Sequence, residues 1–217
     1  MARVPLEQAL AEAETRVLAE LAAVREALQH AVATVSAHDE AAGRRVVEQA
    51  EELHGRYDDV HARLLALIAR QAPVAGDLRR AIALIHVNDR LERMSAQCVN
   101  IATLCHAFPA GEAPSEGQLD CLLGMASLAD EQMAEAAKVF AERDIDGARR
   151  LTEHDLGINE RNRRCFVLAV REGDVEVRRE VAFLVALMAR AIERIGDNAV
   201  DIARQAAFVA TGRLERA

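Results

Sequence analysis

Two stretches of this chain are copies of one another, and the duplication limits the folds open to it. Shifting residues 89–108 by 101 positions lays Glu92 on Glu193, Arg93 on Arg194, Val99 on Val200, Ile101 on Ile202 and Ala102 on Ala203. A 217-residue chain with such a repeat divides into related halves of about 100 residues, each ending in the same kind of helix. The copies differ in their acids. Ala96 stands opposite Asp197, and Asn100 opposite Asp201.

Apolar residues recur with helical spacing along the chain. Val17, Leu21, Val24, Leu28, Ala31 and Val35 mark one buried stripe, and Leu53, Tyr57, Val60, Leu64 and Leu67 mark a second. Asp39 is placed to cap the second helix, and Pro73 suits the first turn of a third, where its missing N–H is not needed. The third helix carries a seam from Leu84 through Leu91 and Cys98 to Phe108. Pro and Gly cluster in residues 108–117, which separates a first unit, residues 1–110, from a second, residues 118–217. Leu119, Leu122, Ala126, Ala129, Met133, Ala136 and Phe140 give a fourth helix, and Asp144 or Asp146 can cap a fifth. Gly173 and Asp174 end the fifth and open a sixth, whose seam from Val185 to Val209 repeats that of the third. The expected fold is all-α: two tandem antiparallel three-helix bundles related by internal duplication.

Composition fits that architecture and narrows the function. Apolar residues make up 51% but aromatics only 3%, so the core is aliphatic and the helices pack closely. A net charge of −8 disfavours nucleic acid, whose phosphates require a basic stripe. No run of roughly 18 to 20 apolar residues spans a bilayer, and the N-terminus lacks the pattern of a secretory signal. The expectation is a soluble, cytoplasmic protein that meets membranes only through partners. Four cysteines without Cys-x-x-Cys spacing read as buried, reduced thiols.

The acids are the candidate chemistry. On a helical wheel Glu193, Asp197 and Asp201 stack at i, i+4 and i+8, opposite the Ile192, Ile195, Ala199 and Ile202 seam. Like charges so placed destabilise a helix by a few tenths of a kcal/mol per pair, a cost that a hard cation would offset. Aligning Gly43–Val46 with Ala148–Leu151 adds Asp155 and Glu153 from the fifth helix. In the first half Ala50, Ala96 and Asn100 replace three of those acids, leaving Glu92, Asn100 and Glu51 as a degenerate counterpart. The same row also reads as a solvated face paired with Arg190, Arg194 and Arg204. Glu51, His54, Asp58 and His61 form a second acid–histidine set on the second helix, the raw material of a carboxylate-bound metal store or metalloenzyme bundle. No Gly-rich phosphate loop, Gly-x-Ser-x-Gly or His-Glu-x-x-His motif occurs, so an enzyme is not expected.

Three segments together resemble the PhoU family of phosphate-signalling accessory proteins, and the resemblance covers nearly the whole chain. Gln71–Arg79 is similar to the family's Gln-x-Pro-Val-Ala-x-Asp-Leu-Arg segment. Leu91–Met94 and Ile192–Asp197 are similar to its two Leu/Ile-Glu-Arg-Ile-Gly-Asp segments. The resemblance implies a cytoplasmic regulator that restrains phosphate uptake and phosphate-starvation signalling. It also implies contact with the ATPase subunit of the phosphate ABC transporter and with a sensor histidine kinase. Family acidic motifs imply a metal, with Fe, Mn or Mg as candidates, at Glu193, Asp197, Asp201 and Asp155. Ser95 and Ala96 depart from the motif, so a single site in the second repeat is expected. Asp77 sits where it favours the dipole of the third helix or contacts a partner, and Arg79 joins it as a candidate partner contact. Arg178 stands at the shifted position of Asp77, so this element is not duplicated. Whether the chain forms a homodimer is left open by the sequence.

Overall fold

A computed structural model of the chain describes residues 3–37, 40–154, 156–172 and 176–213. The helices are α1 (Arg3–Ala37), α2 (Glu40–Gln71), α3 (Ala75–Cys105), α4 (Glu116–Glu142), α5 (Ile145–His154), α6 (Leu156–Glu172) and α7 (Glu176–Thr211). Among the described residues there is no strand. The first repeat is α1, α2 and α3; the second is α4, the α5–α6 pair in the place of α2, and α7. Asp39, Gly173 and Asp174, expected to cap or end helices, lie outside the described residues.

Each helix forms where its stripe finds a partner. The stripe on α1, from Val17 to Val35, is buried throughout, as are Leu84, Leu91 and Cys98 on α3 and Val185, Ile195 and Ile202 on α7. Full burial of one such aliphatic side chain contributes about 1.5–3 kcal/mol. The two repeats share one continuous core. The most extensive helix–helix contact joins them, α3 against α7. These helices run antiparallel: Arg79 Nε donates to the Val209 carbonyl at 3.3 Å, and Arg90 Nε meets Asp201 Oδ2 at 3.3 Å further along. The α1 and α4 helices close the second side of the junction. Arg25 grips Asp130 with two 2.8 Å hydrogen bonds, and Glu14 Oε2 accepts from Arg80 and Arg143, each at 2.7 Å.

Local signals end the helices. Ser115 caps α4 in a reciprocal box with Gln118, just after the Pro- and Gly-containing connection. Arg143 terminates α4 in the left-handed region (φ 59°), with its guanidinium over the Phe140 ring and against Glu14. Asp144 then caps α5 by accepting from the Gly147 N–H at 2.9 Å, which lowers its carboxyl below the ordinary carboxylate value. The start of α3 differs from expectation. It begins at Ala75, and Pro73 is buried just ahead of the Val74 N-cap. The corner needs left-handed backbone at Ala72 (φ 43°) and Ala75 (φ 49°), which delays the helix by two residues.

All four cysteines are free and buried, as expected. Burial pushes the Cys98 thiol up to about 12 and raises Cys105 and Cys165 as well, so these thiols are inert packing groups. No helix among the described residues is long and apolar enough to cross a membrane.

Candidate functional site

In the second repeat the acids of α7 are engaged by arginines. Glu193 pairs with Arg190, while Asp201 accepts from Arg204 at 3.1 Å and faces Arg90 of the first repeat at 3.3 Å. Asp197 is solvent-exposed. The wheel sets all three acids on one outward face, and Glu193 departs from that: it is only 9% exposed. A wheel assumes one covered side, whereas α7 packs against α3, α4, α5 and α6 at once. Asp155 and the side chain of Glu153 lie outside the described residues. Among the described residues, no three His, Cys, Asp or Glu side chains converge into a group that could hold a metal ion.

The first repeat presents a different surface at the matching place. Between α1, α2 and α3 opens a groove of about 480 Å³, lined by Ala50, Ala96 and Asn100 at the positions where the acids are missing. Glu20 of α1, a residue that the apolar stripe does not mark, lines this groove and also the adjoining cleft that holds Arg16, Arg56 and Asp59. Glu20 is 4% exposed, and burial raises its carboxyl from 4.5 to about 7. Arg56 and Arg16 act through space to lower that value, and Asp59 to raise it. Ser95 of α3 is also in the lining; it is 5% exposed, and its Oγ is buried without a hydrogen-bond partner. On the rim His54 Nδ1 meets Glu92 Oε1 at 3.1 Å, linking α2 to α3. The Tyr57 ring stacks near His54, with centroids 6.3 Å apart. Partial burial raises the Tyr57 hydroxyl above its usual value, and Glu92, Asp89 and Asp58 push it in the same direction. Glu51 completes the acidic rim. The degenerate set thus comes together, Glu51, Glu92 and Asn100 on one groove, joined by Glu20, Ser95 and His54.

The Glu51, His54, Asp58 and His61 set divides its contacts. His54 bonds across to Glu92 and lies 3.8 Å from Asp58, while the His61 ring leans on Tyr57, with centroids 5.7 Å apart. Asp77 lies in the first turn of α3, in the favourable field of the helix N-terminus. Arg79 turns inward to the end of α7, where it bonds Val209 and lies close to Gly212, itself in left-handed backbone (φ 76°). That gives Arg79 a role in joining the repeats. Neither this contact nor the Arg90–Asp201 pair shows in local periodicity, because more than 100 residues separate the partners.

Comparison with known proteins places this geometry in a family. The family model described as PhoU domain matches twice, over residues 19–105 and 122–206, once for each repeat. The phosphate-specific transport system accessory protein PhoU homolog 1 of Thermotoga maritima is 30% identical over 88% of this chain and 82% of its own length. The protein of the same name from Mycobacterium tuberculosis is 30% identical over 87% of this chain and 85% of its own. Among solved structures, the phosphate transport system regulatory protein PhoU of Streptococcus pneumoniae superimposes with a TM-score of 0.89, covering 98% of this chain and all of that one, at 17% identity. PhoU of Pseudomonas aeruginosa gives 0.85 at 23% identity, over 95% of this chain and 99% of that one. With tandem three-helix bundles in the structure and a family match on each repeat, the chain belongs to the PhoU family.

Proposed function

We propose that this protein regulates phosphate uptake and phosphate-starvation signalling as a cytoplasmic, non-enzymatic adaptor. It would contact the ATPase subunit of the phosphate ABC transporter and a sensor histidine kinase. The observation that carries this reading is the PhoU domain match on both repeats, supported by relatives named as phosphate transport accessory proteins. The helical frame suits an adaptor, because its outer faces are available to partners while one shared core holds the repeats in register. Regulation would follow from binding one state of a partner more tightly than another, which shifts that partner's equilibrium.

Metal at the second repeat is the finer part of the proposal. Asp197 and Asp201, with Glu193, Asp155 and Glu153, are the residues that would hold Fe, Mn or Mg. What supports it is the stacked spacing of the α7 acids; what opposes it is their engagement by Arg90, Arg190 and Arg204. The described residues do not assemble a metal centre by themselves.

The test is binding of the purified chain to the transporter ATPase and the sensor kinase from the same genome, with and without Mg, Mn or Fe. Metal-dependent binding that Asp197→Ala abolishes supports both parts. Metal-independent binding keeps the adaptor and reduces the acids to an ion-paired face. Absence of binding to both partners under every condition removes the adaptor reading.

A further inference from the structure

We propose that the outer face of the α6–α7 hairpin is a docking surface for an acidic amphipathic helix of a partner protein. Among the described residues nine large apolar side chains are exposed, and five of them lie on this one hairpin: Phe166, Val167 and Val170 on α6, Phe183 and Leu187 on α7. Phe166 and Phe183 are 61% and 64% exposed, so neither belongs to the core. Only three residues separate the two helices, which pack on one another and so run antiparallel, with Phe166 level with Phe183. Arg163, Phe166 and Val170 follow one another at helical spacing on α6, as Phe183, Leu187, Arg190 and Arg194 do on α7. Each helix thus presents an apolar stripe that ends in arginine. The scaffold does not demand this face. In the alignment of the repeats His61 stands for Phe166, half-buried Ile82 for Phe183 and His86 for Leu187.

Area and charge select the occupant. Phe166, Val170, Phe183 and Leu187 together expose roughly 400 Å² of apolar surface, the size of a functional patch but about half of what each side of a standard stable interface buries. A single helix laid between α6 and α7 covers such a patch with its own i, i+3, i+4 and i+7 positions. Residues 156–194 hold eight arginines, no lysine and six acids, although the whole chain carries −8. Exposed Arg163 and Arg171 bracket the Phe166–Val170 pair about 12 Å apart along α6, so carboxylates two turns apart on the occupant meet both.

The same charges disfavour the other occupants. A second copy docked by this face would set arginine against arginine across a twofold axis. An anionic bilayer is a plane far wider than the Debye length of about 8 Å, and it repels the rest of an acidic chain. A lone helix feels only the patch. This surface is argued from its own chemistry and goes beyond the adaptor reading, which names partners but no place on the molecule.

The experiment adds the full chain to a labelled helical peptide of about 18 residues, with leucines at i, i+3, i+4 and i+7 and a glutamate pair at each end of that stripe. A second peptide carries lysine in place of every glutamate. Anisotropy reads affinity, and amide chemical shifts locate binding. The expected result is saturable binding of the glutamate peptide, about tenfold tighter than the lysine peptide, with shifts on α6 and the first half of α7. Phe166→Ser and Phe183→Ser should each weaken binding about fivefold or more and leave the thermal midpoint unchanged. Leu65→Ser removes the exposed first-repeat counterpart of Val170 and should change nothing. Arg163→Glu combined with Arg171→Glu should reverse the preference between the peptides. Equal affinity for the two peptides, binding of neither, or binding indifferent to both phenylalanine variants would overturn the proposal. Two further results would also overturn it. Vesicles of phosphatidylglycerol and phosphatidylcholine that bind in place of the peptide, and lose binding with Phe166→Ser, assign the face to a bilayer. A dimer in sedimentation that the same variant dissolves assigns it to a second copy. Neither transporter nor kinase enters these readouts, so failure here and failure of the adaptor reading are seen separately.

Discussion

The two repeats present the same place on the same scaffold in opposite ways. In the second, the α7 acids remain and arginines occupy them: Arg190 on Glu193, Arg204 and Arg90 on Asp201. In the first, Ala96 and Asn100 stand in place of two acids, and a groove opens there whose lining includes Glu20, a buried acid of α1. Duplication thus fixes the backbone and leaves the chemistry of each surface free to move. One copy carries an ion-paired face, and the other a groove with Glu20, Glu51 and Glu92 in its lining.

The sharpest test of that contrast is pH. Glu20 has a folded-state value near 7 against an ordinary 4.5. Below pH 4.5 both states hold the proton. Between 4.5 and 7 the unfolded chain releases it while the native protein retains it, so stability falls as pH rises, by up to about 3 kcal/mol. Above pH 7 both are ionised and the loss is complete. Chemical denaturation across pH 4–8 should show this slope in the wild type and lose it in Glu20→Gln. Equal slopes in the two proteins would mean that Glu20 is wetter than described.

The next largest effect should come from the tie that keeps the repeats in one frame. Glu14→Ala leaves Arg80 and Arg143 without their shared carboxylate and should lower stability by about 2–3 kcal/mol. A loss below about 0.5 kcal/mol would show that the apolar core alone sets the register of the repeats. Within the acidic rows, Glu193→Ala should cost about 1–2 kcal/mol because the carboxylate is buried and paired. Its counterpart Glu92→Ala, on a half-exposed histidine pair, should cost about 0.5 kcal/mol. Reversal of that order, measured by thermal unfolding, would break the comparison. The smallest difference is at the end of the rows: Asp201→Ala should cost about 1 kcal/mol, and Asn100→Ala less than about 0.5 kcal/mol. A double-mutant cycle on Arg90 and Asp201 should return a coupling of about 0.5–1 kcal/mol.

The helices are legible in the sequence because a stripe such as Val17 to Val35 needs only its own 3.6-residue period to be recognised. The duplication and the break at 108–117 are legible for the same reason, being local in sequence. Glu20 is not, since beside Leu21 it reads as the polar edge of a stripe; its burial comes from α2 closing over it. Glu193 falls on an outward face of the wheel because a single wheel cannot register helices arriving from several sides. The late start of α3 is hidden because no single residue announces the left-handed turns at Ala72 and Ala75. Among the proposed site residues, those of the first repeat come together and those of α7 are found engaged with arginines. Asp155 and the Glu153 side chain are outside the described residues.

The antiparallel meeting of α3 and α7 bears on the history of the molecule. A chain carrying one repeat would leave that helix face bare, and the cheapest cover is a second copy turned about a twofold axis. In such a pair every contact occurs twice. Joining the copies in one polypeptide removes that restriction, and Arg90–Asp201 shows the result. The mirror image of this pair would fall on Ala191 and Asn100, which cannot form it. The contact exists once, on one side of the former axis. Within one chain the two sides of the junction need not match, and one repeat keeps Asp197 and Asp201 where the other carries Ala96 and Asn100.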